Sequence, residues 1–276
     1  MSSPHIAWNL LFATENGVAP RPGGPATFQT PTYAPSGWVG HEGPGIAWQY
    51  WPRSAATGLP MMHVITLVLP AEYRRKGEQY PAISFFAGEG QFAPEPIQGD
   101  ASSADPFLRD LAAAIEHPAL HRRRDLIDGE FALLWLTAEA LAGGPTAPSP
   151  DLRAAGTWID DSEGCNAWDE RAPRSDVWLV PRADPNAGIV PQEFSDDEPA
   201  IAGYSNPFDA QSNFQPWAEP LLGMSHLGGT TFPVQGLPDG LTPWYLELEE
   251  IVGLNFGGDG NAQIDLESDT FDWACG

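Results

Sequence analysis

Lysine is almost absent from this 276-residue chain: it occurs once, at Lys76, against twelve arginines, and no lysine or arginine follows Arg182. The last 94 residues carry 16 aspartates and glutamates, so two thirds of the formal net charge of −24 falls in the C-terminal third. A surface of this sign repels nucleic-acid phosphates and anionic lipid heads, which argues against both as partners, and it concentrates cations and basic proteins around itself. Cysteine is scarce too. Cys165 and Cys275 sit in no ligand motif, so neither a disulfide framework, a zinc site nor a redox pair is expected. Long hydrophobic runs are missing. Val64 to Leu69, interrupted by Thr66, falls far short of the roughly 20 residues that cross a bilayer. Met1 to Ala7 shows no cationic region leading into an apolar one, so no signal peptide is expected and the protein reads as soluble and cytoplasmic.

What the chain does have is apolar and aromatic material. Hydrophobic residues make up 42%, with 11 Trp, 13 Phe and 6 Tyr, enough for a sizeable core and too much for a disordered acidic tail. The acidity therefore decorates a fold, and one compact body over residues 1–276 is the expectation. Genome composition, solubility and salt adaptation each produce acidic proteins. None of them explains why basic residues vanish from one third of the chain.

Segments of strand character are short and separated by Gly/Pro clusters: Ile6–Phe12, Ile46–Trp51, His63–Leu69, Tyr80–Phe86, Phe131–Leu136, Val177–Val180, Trp244–Ile251 and Asn261–Leu266. The fold class is β-rich α+β, mainly antiparallel sheets with a few short helices. His63–Leu69 is nearly all apolar, as a strand covered on both faces should be. Trp244–Ile251 alternates, which points Leu246 and Leu248 inward and an acidic row, Glu247 and Glu249, toward solvent. The clearest helix starts at an Asp105 N-cap with Pro106 at its first position and runs to about Glu116, with Phe107, Leu108, Leu111 and Ile115 forming its apolar stripe. A shorter helix follows Thr137. Residues 17–45, 88–103, 143–155 and 183–220 read as long loops, the natural place for recognition. Residues 46–92 and 223–276 share a layout of a Gly- or Pro-rich approach, a strand, a turn and a second strand, which suggests an internally duplicated core.

Within those two stretches lies a family resemblance. His226-Leu227-Gly228-Gly229, Pro233-Val234-Gln235-Gly236, Tyr245-Leu246-Glu247-Leu248, Gly258-Asp259-Gly260 and Asp265-Leu266 through Phe271 to Cys275 resemble the C-terminal signature of the YwqG-like family, a bacterial group of unknown biochemical function. Trp51-Pro52-Arg53, Pro60 and Phe85-Phe86 resemble that family's first half. The chain departs from the pattern at Phe256-Gly257, where the family commonly has tryptophan, and at Glu247 and Glu249, where it commonly has Gln and Asp. The resemblance implies a β-rich α+β fold with a duplicated core and no recognised enzymatic activity. It also implies a loose association with toxin and contact-dependent competition systems, in which small acidic proteins serve as immunity factors.

Catalytic constellations are thin. Gly223-Met224-Ser225-His226-Leu227 has the outline of a nucleophile elbow, but the elbow needs a small residue where Leu227 stands, so Ser225 is read as structural. His117 and His121 are four apart with Pro118 between them and no third ligand nearby. The acidic clusters Asp160-Asp161-Glu163 and Asp196-Asp197-Glu198 read as hydrated loops, and Gly257–Asp265 as a tight glycine turn, not a calcium repeat. No catalytic residue, metal or cofactor is assigned. The reading is a non-enzymatic protein-binding protein, most concretely an immunity-type inhibitor covering the basic active surface of a toxin. Its contact surface is expected at Glu247, Glu249, Glu250, Asp259, Asp265, Glu267, Asp269 and Asp272, with Trp217 as a loop anchor. The competing classes are a small-molecule hydrolase or other enzyme in a cleft between the duplicated halves, and an intracellular structural or regulatory module.

Overall fold

A computed structural model describes residues 6–88, 96–125, 127–153, 165–192, 203–209, 211 and 213–276. Twelve strands and two α-helices are found among them. In chain order the elements are β1 (Ala7–Thr14), β2 (Gly17–Ala19), β3 (Gly37–Val39), β4 (Met62–Val68), β5 (Ala82–Ala87), α1 (Pro106–Ala113), β6 (Leu120–Arg124), β7 (Glu130–Leu136), α2 (Ala138–Ala142), β8 (Ser175–Arg182), β9 (His226–Leu227), β10 (Tyr245–Glu249), β11 (Asn261–Asp265) and β12 (Phe271–Ala274). The protein is β-rich and its strands pair antiparallel, as the sequence pattern indicated. Two compact units divide the chain. The first comprises 1–36, 176–251 and 255–276; the second comprises 37–175 and 252–254.

In the second unit the strands run β3-β4-β5-β7-β6. β4, β5 and β7 are almost wholly buried, so their near-continuous apolar sequences are those of strands covered on both faces. Trp51 packs edge-on against Phe86 at 5.6 Å and donates its Nε1–H to the Met61 carbonyl at 2.9 Å. Gly43 is required here, because a Cβ would lie 2.8 Å from the Trp51 ring. The predicted strand at Ile46–Trp51 is instead a 3-10 turn at Trp48–Tyr50. Pro52 cannot donate to a sheet ladder, and the Trp51 N–H is spent on the Trp48 carbonyl at 3.1 Å. α1 is capped as expected: the Asp105 carboxylate accepts from the Phe107 N–H at 2.9 Å. It ends at Ala113, short of the expected Glu116, so Ile115, expected as the last residue of the apolar stripe, lies beyond the helix and is exposed.

In the first unit the strands run β12-β11-β10-β9-β1-β8, with β2 on the other edge of β1. Cross-strand partners place Asn9, His226, Glu247, Gln263 and Asp272 in one row on one face. The alternate positions Leu10, Leu227, Leu246, Leu248 and Ile264 occupy the other face and are fully buried. The alternation read from Trp244–Ile251 is thus present. The polar face is not open to water, however: Glu247 and Glu249 are 1% and 8% exposed.

Candidate functional site

The burial of that polar face has a local cause. The segment after β9 crosses it as irregular backbone, and irregular backbone needs hydrogen-bond partners that a strand would have found in its neighbour. The side chains of the polar row provide them. Both Glu247 oxygens accept from the Phe232 N–H, at 3.0 and 3.1 Å, and Gln263 Nε2 donates to the same carboxyl at 3.2 Å. Asn261 accepts from Val234 N–H and donates to the Phe232 carbonyl at 2.7 Å. Asp265 accepts from Thr242, Glu267 and Ser268 N–H groups, closing the turn between β11 and β12. His226 donates from Nδ1 to the Met224 carbonyl at 2.9 Å, and the Tyr245 hydroxyl donates to the Gly229 carbonyl at 3.0 Å.

Burial sets the protonation of this network. It drives His226 down to about 3 and Glu247 up to about 8, so both are neutral near pH 7 although they stand 3.9 Å apart. The N–H groups of Phe232 and Gln263 pull Glu247 the other way, but the loss of water outweighs them. Burial also raises Glu249, opposed by its Asn261 partner and by Arg21, 3.7 Å away.

At the edge of the row lies the last cation of the chain. Arg182 donates to Asn9 Oδ1 at 2.7 Å and, through Nε and Nη2, to Asp184 at 3.2 and 2.9 Å. Asp184, whose side chain is wholly buried, also accepts from the backbone and hydroxyl of Thr230 and from the Asn186 N–H. Pro181, Arg182, Asp184 and Asn206 form part of the wall of an open cleft of about 990 Å³ that Trp217 also lines. Gln215 fixes this wall: its Nε2 donates to the carbonyls of Asn206 and Phe208, and its Oε1 accepts from the Trp217 indole at 3.1 Å. Ion pair, amide and indole are therefore fixed by hydrogen bonds within the protein, which lowers the ordering cost of recognition.

Trp217 is half-buried on the wall of this cleft. The acidic surface is smaller than the sequence suggested. Glu247, Glu249 and Asp265 are buried and correct the expectation of a solvent-facing acidic row, because their carboxyls support loops. Glu250 is half-buried, and its Oε1 accepts from the Phe256 and Gly258 N–H groups at 2.6 and 3.0 Å. Asp259, Glu267 and Asp269 are exposed, and Asp272 is half-buried. The Arg182–Asp184 pair went unread in the sequence. Its signal was the spacing Arg-x-Asp at the point where basic residues stop.

Ser225 is fully buried, with its Oγ accepting from the Glu249 N–H at 3.0 Å. His117 follows α1 whereas His121 lies on β6, so no single helix face carries them. Among the described residues no group of three or more His, Cys, Asp or Glu side chains is arranged to hold a metal, and no helix is long and apolar enough to cross a membrane. Asp160-Asp161-Glu163 and Asp196-Asp197-Glu198 lie outside the described residues. Cys165 and Cys275 are free thiols. No protein-family model, no curated protein and no solved structure matches the chain.

Proposed function

We propose that this chain is a non-catalytic binding protein for a basic partner, and that the Trp217 cleft of the first unit receives a cationic side chain or segment of it. The observation that carries the reading is the fate of the unit's cations. Arg21 and Arg182 are its only lysine or arginine residues, and they pair with Glu249 and Asp184, carboxylates that the fold buries. Exposed acidic side chains of the unit include Glu219, two residues along the chain from Trp217, and Asp259, Glu267 and Asp269. An indole on the wall of a cleft in a strongly acidic unit suits a guanidinium or ammonium, through cation–π attraction and charge. In its most specific form the partner is a toxin domain whose basic catalytic surface is occluded, which agrees with the resemblance to the YwqG-like family. Arg182 and Asp184 saturate each other, an arrangement that supports recognition more than turnover.

An arginine-rich peptide, titrated calorimetrically against the full chain and against an equally acidic unrelated protein, tests this. Trp217→Ala is expected to weaken binding about tenfold, and Glu219→Lys to slow association and flatten its salt dependence. Equal affinity for wild type, Trp217→Ala and the unrelated acidic protein overturns the proposal.

A further inference from the structure

The second unit contains a pocket that the acidic-surface reading does not use. It has a volume of about 210 Å³ and lies where the Trp48–Tyr50 turn, the end of α1 and the start of β6 meet. Trp51, Ile97, Leu111 and Leu120 give it apolar walls, and Glu116 and Arg122 line it as well. Arg122 grips Glu116 through Nε, at 3.2 and 3.0 Å, and through Nη2 at 2.7 Å, while its Nη1 donates to the Arg53 carbonyl at 2.9 Å. A guanidinium has five N–H groups. Each Nη therefore keeps one for another acceptor, and the side chains of the pair are 37% and 54% exposed, within reach of a ligand.

Two further features concern the mouth. Ile115 lines the pocket at 55% exposure, and its N–H donates to the Gln49 carbonyl at 2.7 Å. Large apolar side chains at the mouth of a cavity gain from being covered. The C-terminal end of α1, at Ala114, also borders the pocket, and no basic residue occupies the last turn of that helix to offset its negative end.

We propose that this pocket binds a free α-amino acid with an apolar side chain. Its carboxylate takes the spare Arg122 N–H groups, its ammonium lies between Glu116 and the carbonyl end of α1, and its side chain enters the space bounded by Trp51, Ile97 and Leu111. With about 30 Å³ for a water-sized group, 210 Å³ admits about seven non-hydrogen atoms, the size of valine or leucine. A zwitterion satisfies both members of the ion pair at once, whereas a plain anion would compete with Glu116 for Arg122 and a plain cation with Arg122 for Glu116.

The test is calorimetric titration of the full chain with L-valine, L-leucine and L-phenylalanine, up to about 10 mM. Alongside run 4-methylpentanoate, which lacks the ammonium of leucine, and 3-methylbutylamine, which lacks its carboxylate. At least one of the amino acids is expected to bind, each single-headed analogue about tenfold more weakly or worse, and Arg122→Gln and Glu116→Gln to lose about tenfold each. Ala114→Leu, at the half-buried C-cap of α1, fills the pocket and should abolish binding. The proposal is overturned if none of the three amino acids binds, if 4-methylpentanoate binds as well as leucine, or if Ala114→Leu keeps full affinity.

Discussion

Glu247 carries the sharpest consequence of burial at the level of one residue. Its carboxyl is pushed up to about 8 in the folded protein, against an ordinary value of 4.5 in the unfolded chain. The folded state therefore holds a proton that the unfolded state has released, and stability falls as pH rises between those two values. His226 acts in the opposite sense: lowered to about 3, it withdraws stability as pH falls below 6.5, where the unfolded imidazole takes up a proton. The two offset each other between 4.5 and 6.5, and above pH 6.5, up to about 8, the effect of Glu247 is no longer opposed by His226. Glu247→Gln should remove a loss of roughly 1–2 kcal/mol across that window, read as the pH dependence of urea midpoints. Identical slopes in variant and wild type would mean that Glu247 is not buried as a neutral acid. The sequence made the alternation of Glu247 and Glu249 with leucine legible, and with it the two faces of β10. It could not show which face meets water, because the cover is irregular backbone around Phe232 and Val234 with no periodicity of its own.

Elements of four or more residues with clear apolar content were legible, and shorter ones were not. β4, β5, β7, β8, β10 and β11 lie within a few residues of their expected places. β3 and β9 have three and two residues flanked by glycine, too short for any period to register. β6, with the sequence Leu-His-Arg-Arg-Arg, has no apolar alternation to mark it as a strand; it is an edge strand, where charge discourages pairing with other chains. β9 survives at two residues because its flank is pinned twice: the Ser225 carbonyl accepts from Leu10 N–H at 2.9 Å, and its hydroxyl accepts from Glu249 N–H. Ser225→Ala leaves that Glu249 donor buried and unpaired, with an expected loss of about 1–3 kcal/mol in chemical denaturation. Ligand binding at the Trp217 cleft should stay intact. A variant as stable as wild type would show that the strand is held by packing alone.

For the molecule as a whole, the charge asymmetry of the sequence becomes an asymmetry between units, since 11 of the 13 basic residues fall in the second. With a net charge of −24, self-repulsion should weaken the fold at low ionic strength. Raising NaCl from about 0.01 to 0.15 M shortens the Debye length from about 30 to 8 Å and should raise the calorimetric Tm by several degrees. A Tm that falls with salt would show that ion pairs such as Arg53–Asp110 outweigh the repulsion. Each unit has a row of facing residues across three neighbouring strands: Trp38, Thr66 and Ser84 on β3, β4 and β5, and His226, Glu247 and Gln263 on β9, β10 and β11. Similar hairpins in one chain invite exchange of partners during folding, and such mispaired states are a characteristic trap of repeated architectures. Here the polar rows act as labels. In the second unit, His63, Thr66 and Ser84 form a closed chain that ends on the Gly40 carbonyl. Were β10 to pair with β5, Glu247 would be buried against Ser84 without Phe232 or Gln263 to receive it, so the wrong hairpin is rejected by the same carboxyl that secures the right one.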